Sequence, residues 1–226
     1  MTTDLGDPRI FTALLHEVDN TNALLTQGLR LLGQLRCLST HLEPALVCLA
    51  SGAEKLTKLT YGLAVTDRTG TWPDRSTMRV TFRHDIVKLD QACRDILLEQ
   101  IDRAVGPGYI GDLLDRSAGD PYLTDVLHTL TRYAQQGRFH YIDVLAAGAP
   151  LGHSPQELWE MTERTITDRN PELLDPSADL QRTRSALVAP IRQALLDWWE
   201  LYWRAYMHGV FGPIGKQWGS QLQPAG

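Results

Sequence analysis

Apolar side chains recur along this chain at alternating spacings of four and three, the period of an α-helix buried on one side. Val18, Asn22, Leu25, Leu29 and Leu32 share one face of a first helix, predicted over about residues 9–36. Leu42, Leu46, Leu49, Ala53, Leu56, Thr60 and Leu63 carry the alternation through a second helix, with Glu54, Lys55 and Lys58 beside the stripe. Gly70 and Pro73 end it in the loop "DRTGTWPDRS". A third helix begins near "RHDIVKL", with Ile86, Leu89, Cys93, Ile96 and Leu97 on one face. Asp85 suits the positive end of its dipole. "VGPGYIG", residues 105–111, reads as a break.

The polar punctuation continues the pattern. Asp120 as N-cap and Pro121 at the first helical position start a fourth helix, carrying Val126, Leu127, Leu130 and Ala134. Gly137 is placed to cap its C-terminus. "HSPQELWEMTERTI" holds a capping box, with Ser154 as N-cap and Glu157 three residues on. A loop with Pro171 and Pro176 leads to a last helix over about 177–209. Its buried side is marked by Leu180, Leu187, Ile191, Ala194, Trp198 and Leu201, and Pro190 is expected to kink it. The tail "GPIGKQWGSQLQPAG" is expected to be irregular and partly mobile. No strand-like alternation appears. The prediction is an all-α bundle of five to seven helices.

Composition narrows this picture only in places. A formal charge of −5 and a pI near 5.8 exclude coating nucleic acid through overall charge, but leave room for a local basic pocket. Cys37, Cys48 and Cys93 lie on apolar stretches without CxxC spacing, so buried thiols in a reducing compartment are expected. No basic-plus-apolar leader and no long uncharged apolar run is present, which points to a cytoplasmic protein that does not enter a membrane. HExxH, GxxxxGK[ST] and GxSxG motifs are missing, and no metal or cofactor is expected.

Three stretches in order carry a resemblance: "CLASGAEKLTKLTYGL", "RHDIVKLDQACRDIL" and "RYAQQGRFHYIDVL". Together they resemble HEPN domains, the helical nucleotide-binding family of higher eukaryotes and prokaryotes. That family has an "EKxLK"-like second helix, an "HDL"-like start to the third, and an arginine near the end of the fourth. The resemblance implies a HEPN-like core over residues 1–150 and a helical extension over 151–226 that packs on it. It also implies a metal-independent endoribonuclease, or an RNA-binding component of a defence or toxin–antitoxin system, acting as a homodimer. Arg132 then takes the family's arginine position and His140 its histidine, with seven intervening residues where the family has four to six. Arg79 to His84 fits the family interval but precedes the third helix.

The chemistry suits those residue types. Attack by a ribose 2′-hydroxyl needs a proton acceptor, which an imidazole supplies, and a fixed cation at the phosphate, which a guanidinium supplies. Arg132 and His140 are the candidate catalytic pair. Arg138, Lys55, Lys58, His84 and Tyr133 are candidate substrate-binding residues. Each has a plainer role beside it. Arg132 and Arg138 suit a helix C-terminus or a pairing with Asp143. Glu54 and Lys58 suit a surface i,i+4 pair, and His84 and Asp85 suit capping. The aromatic run "DWWELYWRAYMHGVF" suits packing on the bundle or a second subunit, and base stacking less. The alternative function is therefore a non-catalytic dimerisation or protein-interaction module, its partner surface the aromatic final helix. The acidic balance and the stretched Arg–His interval favour it.

Overall fold

The computed structural model describes residues 7–148, 152–173 and 179–224, and all regular structure in them is helical. α1 (Pro8–Gly33) and α2 (Leu38–Thr69) form a hairpin. α3 (Ile86–Gln100) and α5 (Leu123–Gln135) complete the packing around α2, so that the leucine stripe read from Leu42 to Leu63 is the axis of the fold. α7 (Pro155–Arg169) covers α5, and α8 (Leu180–Met207) runs across α1, α4 (Pro107–Gly119), α5 and α7. α6 (His140–Ala147) projects at the corner beyond α5, and α9 (Gly212–Gly219) docks on α2 and α8. One continuous apolar core takes side chains from α1 to α5 and from α7 to α9. The expected boundary at residues 150 and 151, Pro176 and the expected helix start at residue 177 lie outside the described residues.

Local chemistry explains most boundaries. The capping box forms as read: Ser154 Oγ accepts from the Glu157 N–H at 3.1 Å, and Glu157 accepts from the Ser154 N–H at 2.7 Å. Asp85 caps α3 through the Lys88 N–H at 3.0 Å. Asp120 caps too, but α5 begins at Leu123, and the carboxylate accepts from the Tyr122 and Leu123 N–H groups. Gly137 has a different task from the expected cap. α5 ends at Gln135, and a Cβ at residue 137 would lie 2.2 Å from the Pro155 ring, so glycine is required for the close approach of α7.

Nine α-helices form among the described residues, two more than the upper end of the expected five to seven. The "VGPGYIG" break is only two residues deep. Gly106 turns left-handed (φ 89°), and Pro107 then starts α4. The tail is docked, not irregular: Trp218 and Leu222 are buried, and Asn22 Nδ2 donates to the Gln221 and Gln223 carbonyls at 2.9 Å. The thiols also differ from expectation. Cys93 is buried, but Cys48 is half-buried and Cys37 is exposed at the start of α2. Hydrogen bonds from Ser39 and Thr40 hold the Cys37 thiol below its usual range. Among the described residues no helix is long and apolar enough to cross a membrane.

The aromatic face of α8 turns into the chain's own core. Trp198, Trp199, Tyr202 and Tyr206 are fully buried. Trp198 Nε1 and Tyr202 Oη each donate to Asp90 Oδ1 at 2.6 Å, and Arg94 Nε donates to Asp90 Oδ2 at 2.6 Å. Arg94 Nη2 continues the chain of bonds to Ser117 Oγ at 2.8 Å, tying α3, α4 and α8 together.

Candidate functional site

Beyond α2 the chain folds back along its own helix. Trp72 lies over Gly62, where a Cβ would meet the indole at 2.3 Å, so the glycine lets the loop lie flat. A short helical segment then tightens into a π-turn over Thr77–Thr81, started by Asp74 Oδ1 accepting from the Thr77 N–H at 2.7 Å. Phe82 plugs the core and meets Tyr61 edge-on at 4.8 Å. Arg83 follows at φ 48°, the one positive φ among described non-glycine residues. That conformation is strained for an arginine and persists only where neighbours hold it. Lys58 holds it here, donating to the Arg83 carbonyl at 2.7 Å and to Glu54 Oε1 at 2.6 Å.

The same clamp orients an imidazole. His84 Nδ1 lies 3.1 Å from both oxygens of Glu54, whose side chain is mostly covered while that of His84 is half exposed. The carboxylate so engages Nδ1, and the opposite ring nitrogen has no hydrogen-bond partner among the described residues. A groove of about 500 Å³ opens beside the pair, lined by Glu54, Lys55, Lys58, Trp72 and Arg79 among others. Lys55 also pairs with Glu17 of α1.

A basic stretch of chain meets this groove at Arg79. Arg75, Arg79 and Arg83 follow one another at spacings of four, all exposed and none with a side-chain partner among the described residues. Between residues 74 and 88 there are four cationic side chains against two carboxylates, Asp74 and Asp85, and both carboxylates are engaged as caps. In a chain of formal charge −5 this is a local reversal of sign.

The other predicted residues lie at the α5–α6 corner. Arg132 donates from Nε to the His153 carbonyl and from Nη1 to Gln136 Oε1, both at 3.0 Å. His140 is buried, at 7% exposure, with its ring edge-on to Tyr141 at 5.2 Å. Arg138 sits over the Phe139 ring at 5.4 Å. Tyr133 Oη donates to Glu43 Oε1 at 3.4 Å, and burial together with that carboxylate pushes the phenol up to about 12. His153 is exposed, 3.7 Å from Glu157 Oε2.

The structure thus brings Lys55 and Lys58 to one groove, with His84 tied to it through Glu54, and leaves Arg132, Arg138, Tyr133 and His140 at another corner. Sequence reasoning set Arg79 aside and overlooked Arg75, Arg83 and Trp72. The signal it lacked was the regular arginine spacing in "DRSTMRVTFRH", visible against an acidic background. Among the described residues no three His, Cys, Asp or Glu side chains are grouped to hold a metal ion. Set against known proteins, the chain matches no family model, no curated protein and no solved structure.

Proposed function

We propose that this chain is an RNA-binding protein with a HEPN-like core, which takes the phosphodiester backbone along Arg75, Arg79 and Arg83 and sets one linkage against His84. The observation that carries this reading is the strip of unpartnered arginines beside an exposed imidazole held by a carboxylate. Phosphate is what such guanidinium groups bind best, through paired N–H donors. The arrangement is also equipped for metal-independent cleavage. His84 would take the proton of a ribose 2′-hydroxyl, whose oxygen attacks phosphorus. The bond to the 5′-oxygen breaks, and that oxygen takes up a proton, leaving a 2′,3′-cyclic phosphate and a 5′-hydroxyl. Arg79 or Lys55 would bear the charge gathering on the phosphate. Buried His140 is less suited to that exchange, because its ring is shielded from water and substrate alike.

Binding of a single-stranded RNA across a salt series, without added metal, tests the reading. Each phosphate contact contributes about 0.7 to the slope of log affinity against log salt on single strands. Arg75→Ala/Arg79→Ala/Arg83→Ala should therefore lower the slope by about 2, while His84→Ala leaves it unchanged and abolishes cleavage. An identical slope in the triple variant and the wild type would remove the strip from any role in RNA binding. A second reading, a docking module without catalysis, is favoured by a separate observation, the exposed apolar face of α6.

A further inference from the structure

A second pocket, of about 250 Å³, lies between α3, the end of α4 and the start of α5, with roughly the volume of eight waters. Asp90, Arg94 and Ser117 form its polar side, and Val87, Leu123 and Leu127 its apolar side. Both oxygens of Asp90 are engaged, Oδ1 by Trp198 and Tyr202 and Oδ2 by Arg94. The donors beside it are not all engaged. Arg94 gives Nε to Asp90 and Nη2 to Ser117, but its Nη1 is buried and meets no acceptor among the described residues. Ser117 Oγ accepts from Arg94, and its own proton meets no acceptor among the described residues either. The two open donors are close together, because Nη2 of the same guanidinium reaches Ser117 Oγ at 2.8 Å. A buried donor left unpaired is unfavourable, so an acceptor brought to it is held more firmly than one on an exposed surface.

We propose that this pocket binds a small neutral carboxamide, its oxygen on Arg94 and Ser117 and its hydrocarbon part against Val87, Leu123 and Leu127. The class follows from what the lining leaves open. Around Asp90 the open groups are donors, so the ligand must bring an acceptor oxygen there. Gln91 also lines the pocket, and with its Nε2 given to Asp95 its Oε1 is open to the N–H of an amide. Charge argues for neutrality. Asp90 and Arg94 already balance each other, and a carboxylate ligand would set a second negative charge beside Asp90. Asp120 adds a further carboxylate at the start of α5, where it takes the Tyr122 and Leu123 N–H groups. A cation would meet Arg94 and find no open carboxylate oxygen on the polar side. An apolar wall opposite a few polar groups is the usual make-up of a small-molecule site, in which burial of hydrocarbon gives affinity and the polar groups fix orientation. The site does not depend on the RNA-binding proposal and uses none of its residues.

Titration of the isotope-labelled whole chain with isobutyramide, followed by nuclear magnetic resonance, tests it. The Arg94 Nε–H and Ser117 amide signals should shift and saturate at millimolar amide. Isobutyrate, the same skeleton with a negative charge, should bind about tenfold more weakly or worse. Thr124→Trp, at an exposed position of the lining, should obstruct entry and weaken the amide by about tenfold or more. Circular dichroism confirms that this variant is folded. Signals that never saturate in the wild type overturn the inference. So does a folded Thr124→Trp that binds isobutyramide as the wild type does. Isobutyrate bound as tightly as the amide overturns the assignment of a neutral ligand.

Discussion

Two carboxylates on neighbouring helices make a natural pair for comparison. Asp90 of α3 and Glu54 of α2 each collect an aromatic ring N–H or imidazole and a cation at i,i+4. Asp90 takes Trp198, Tyr202 and Arg94, and lies buried beneath α8 at the base of a small pocket that Arg94 and Ser117 also line. Glu54 takes Lys58 and His84 and itself lines a groove, and the imidazole it holds is half exposed. The bonding is alike, and solvent access differs. Where water is largely excluded, the bonded donors are committed to the fold, and only Arg94 Nη1 of the network is buried without a partner among the described residues. Where the imidazole reaches water, the same bonding orients a group that remains available. A carboxylate network therefore holds the fold or serves chemistry according to what covers it, and the residues alone do not decide which.

The strongest test of the sealed half is Asp90→Ala. It strands Arg94, Trp198 and Tyr202 without their acceptor, and breaking one partner of a buried pair costs about 3–5 kcal/mol. Urea unfolding followed by tryptophan fluorescence should show a loss of that size. RNA binding by the fraction that remains folded should match wild type. A loss under ~1 kcal/mol would mean that α8 is held by apolar packing and that the network adds nothing.

Glu54→Gln tests the open half with a smaller effect of a different kind. The amide keeps a hydrogen bond to Lys58 or His84 but withdraws the charge. Stability should move by less than about 1 kcal/mol, as for other part-exposed ion pairs. RNA cleavage should fall about tenfold or more, because outer partners that orient an imidazole commonly contribute that much. The comparison breaks if this variant unfolds as readily as Asp90→Ala with no separate effect on RNA.

The difference between the halves also marks what the sequence could reveal. Leucine periodicity announced α1, α2, α3 and α5, because a helix buries its face by local spacing alone. Ser154 and Asp85 announced helix starts, since a cap reads its own backbone two or three residues away. Asp90 was silent. Its i,i+4 arginine looks like any surface pair, and its decisive donors, Trp198 and Tyr202, lie 108 and 112 residues further on. α4 and α9 were hidden by glycine and proline, which mark both the end of one helix and the start of the next. Lys55, Lys58 and His84 were legible as candidate site residues. The arginine stretch was not, because Arg75 and Arg79 lie in a loop by periodicity, whereas the structure winds Arg79 into a π-turn. Arg132 and His140 were chosen by interval along the chain, and an interval cannot tell that one ring is buried.

Alkaline titration is the gentlest way to tell the halves apart. Burial, then the neighbouring carboxylate, pushes the Tyr202 phenol well above its usual range, and burial also raises Tyr206. The sign follows from proton counting. Below about pH 10 both folded and unfolded chains hold these protons, so the contribution to stability is fully present. Above that, the unfolded chain releases them while the folded chain does not, and stability falls by about 1.4 kcal/mol per pH unit for each such group. Tyr133, raised less by its own burial and by Glu43, closes its window near 12. Phenolate absorbance should therefore appear together with unfolding for Tyr202, and Tyr202→Phe should flatten the alkaline slope by one group. If Tyr202 ionises in a chain that is still folded, α8 opens to water near Asp90. The buried carboxylate would then be as accessible as the open one, and solvent access could no longer explain why one holds the fold and the other keeps its imidazole exposed.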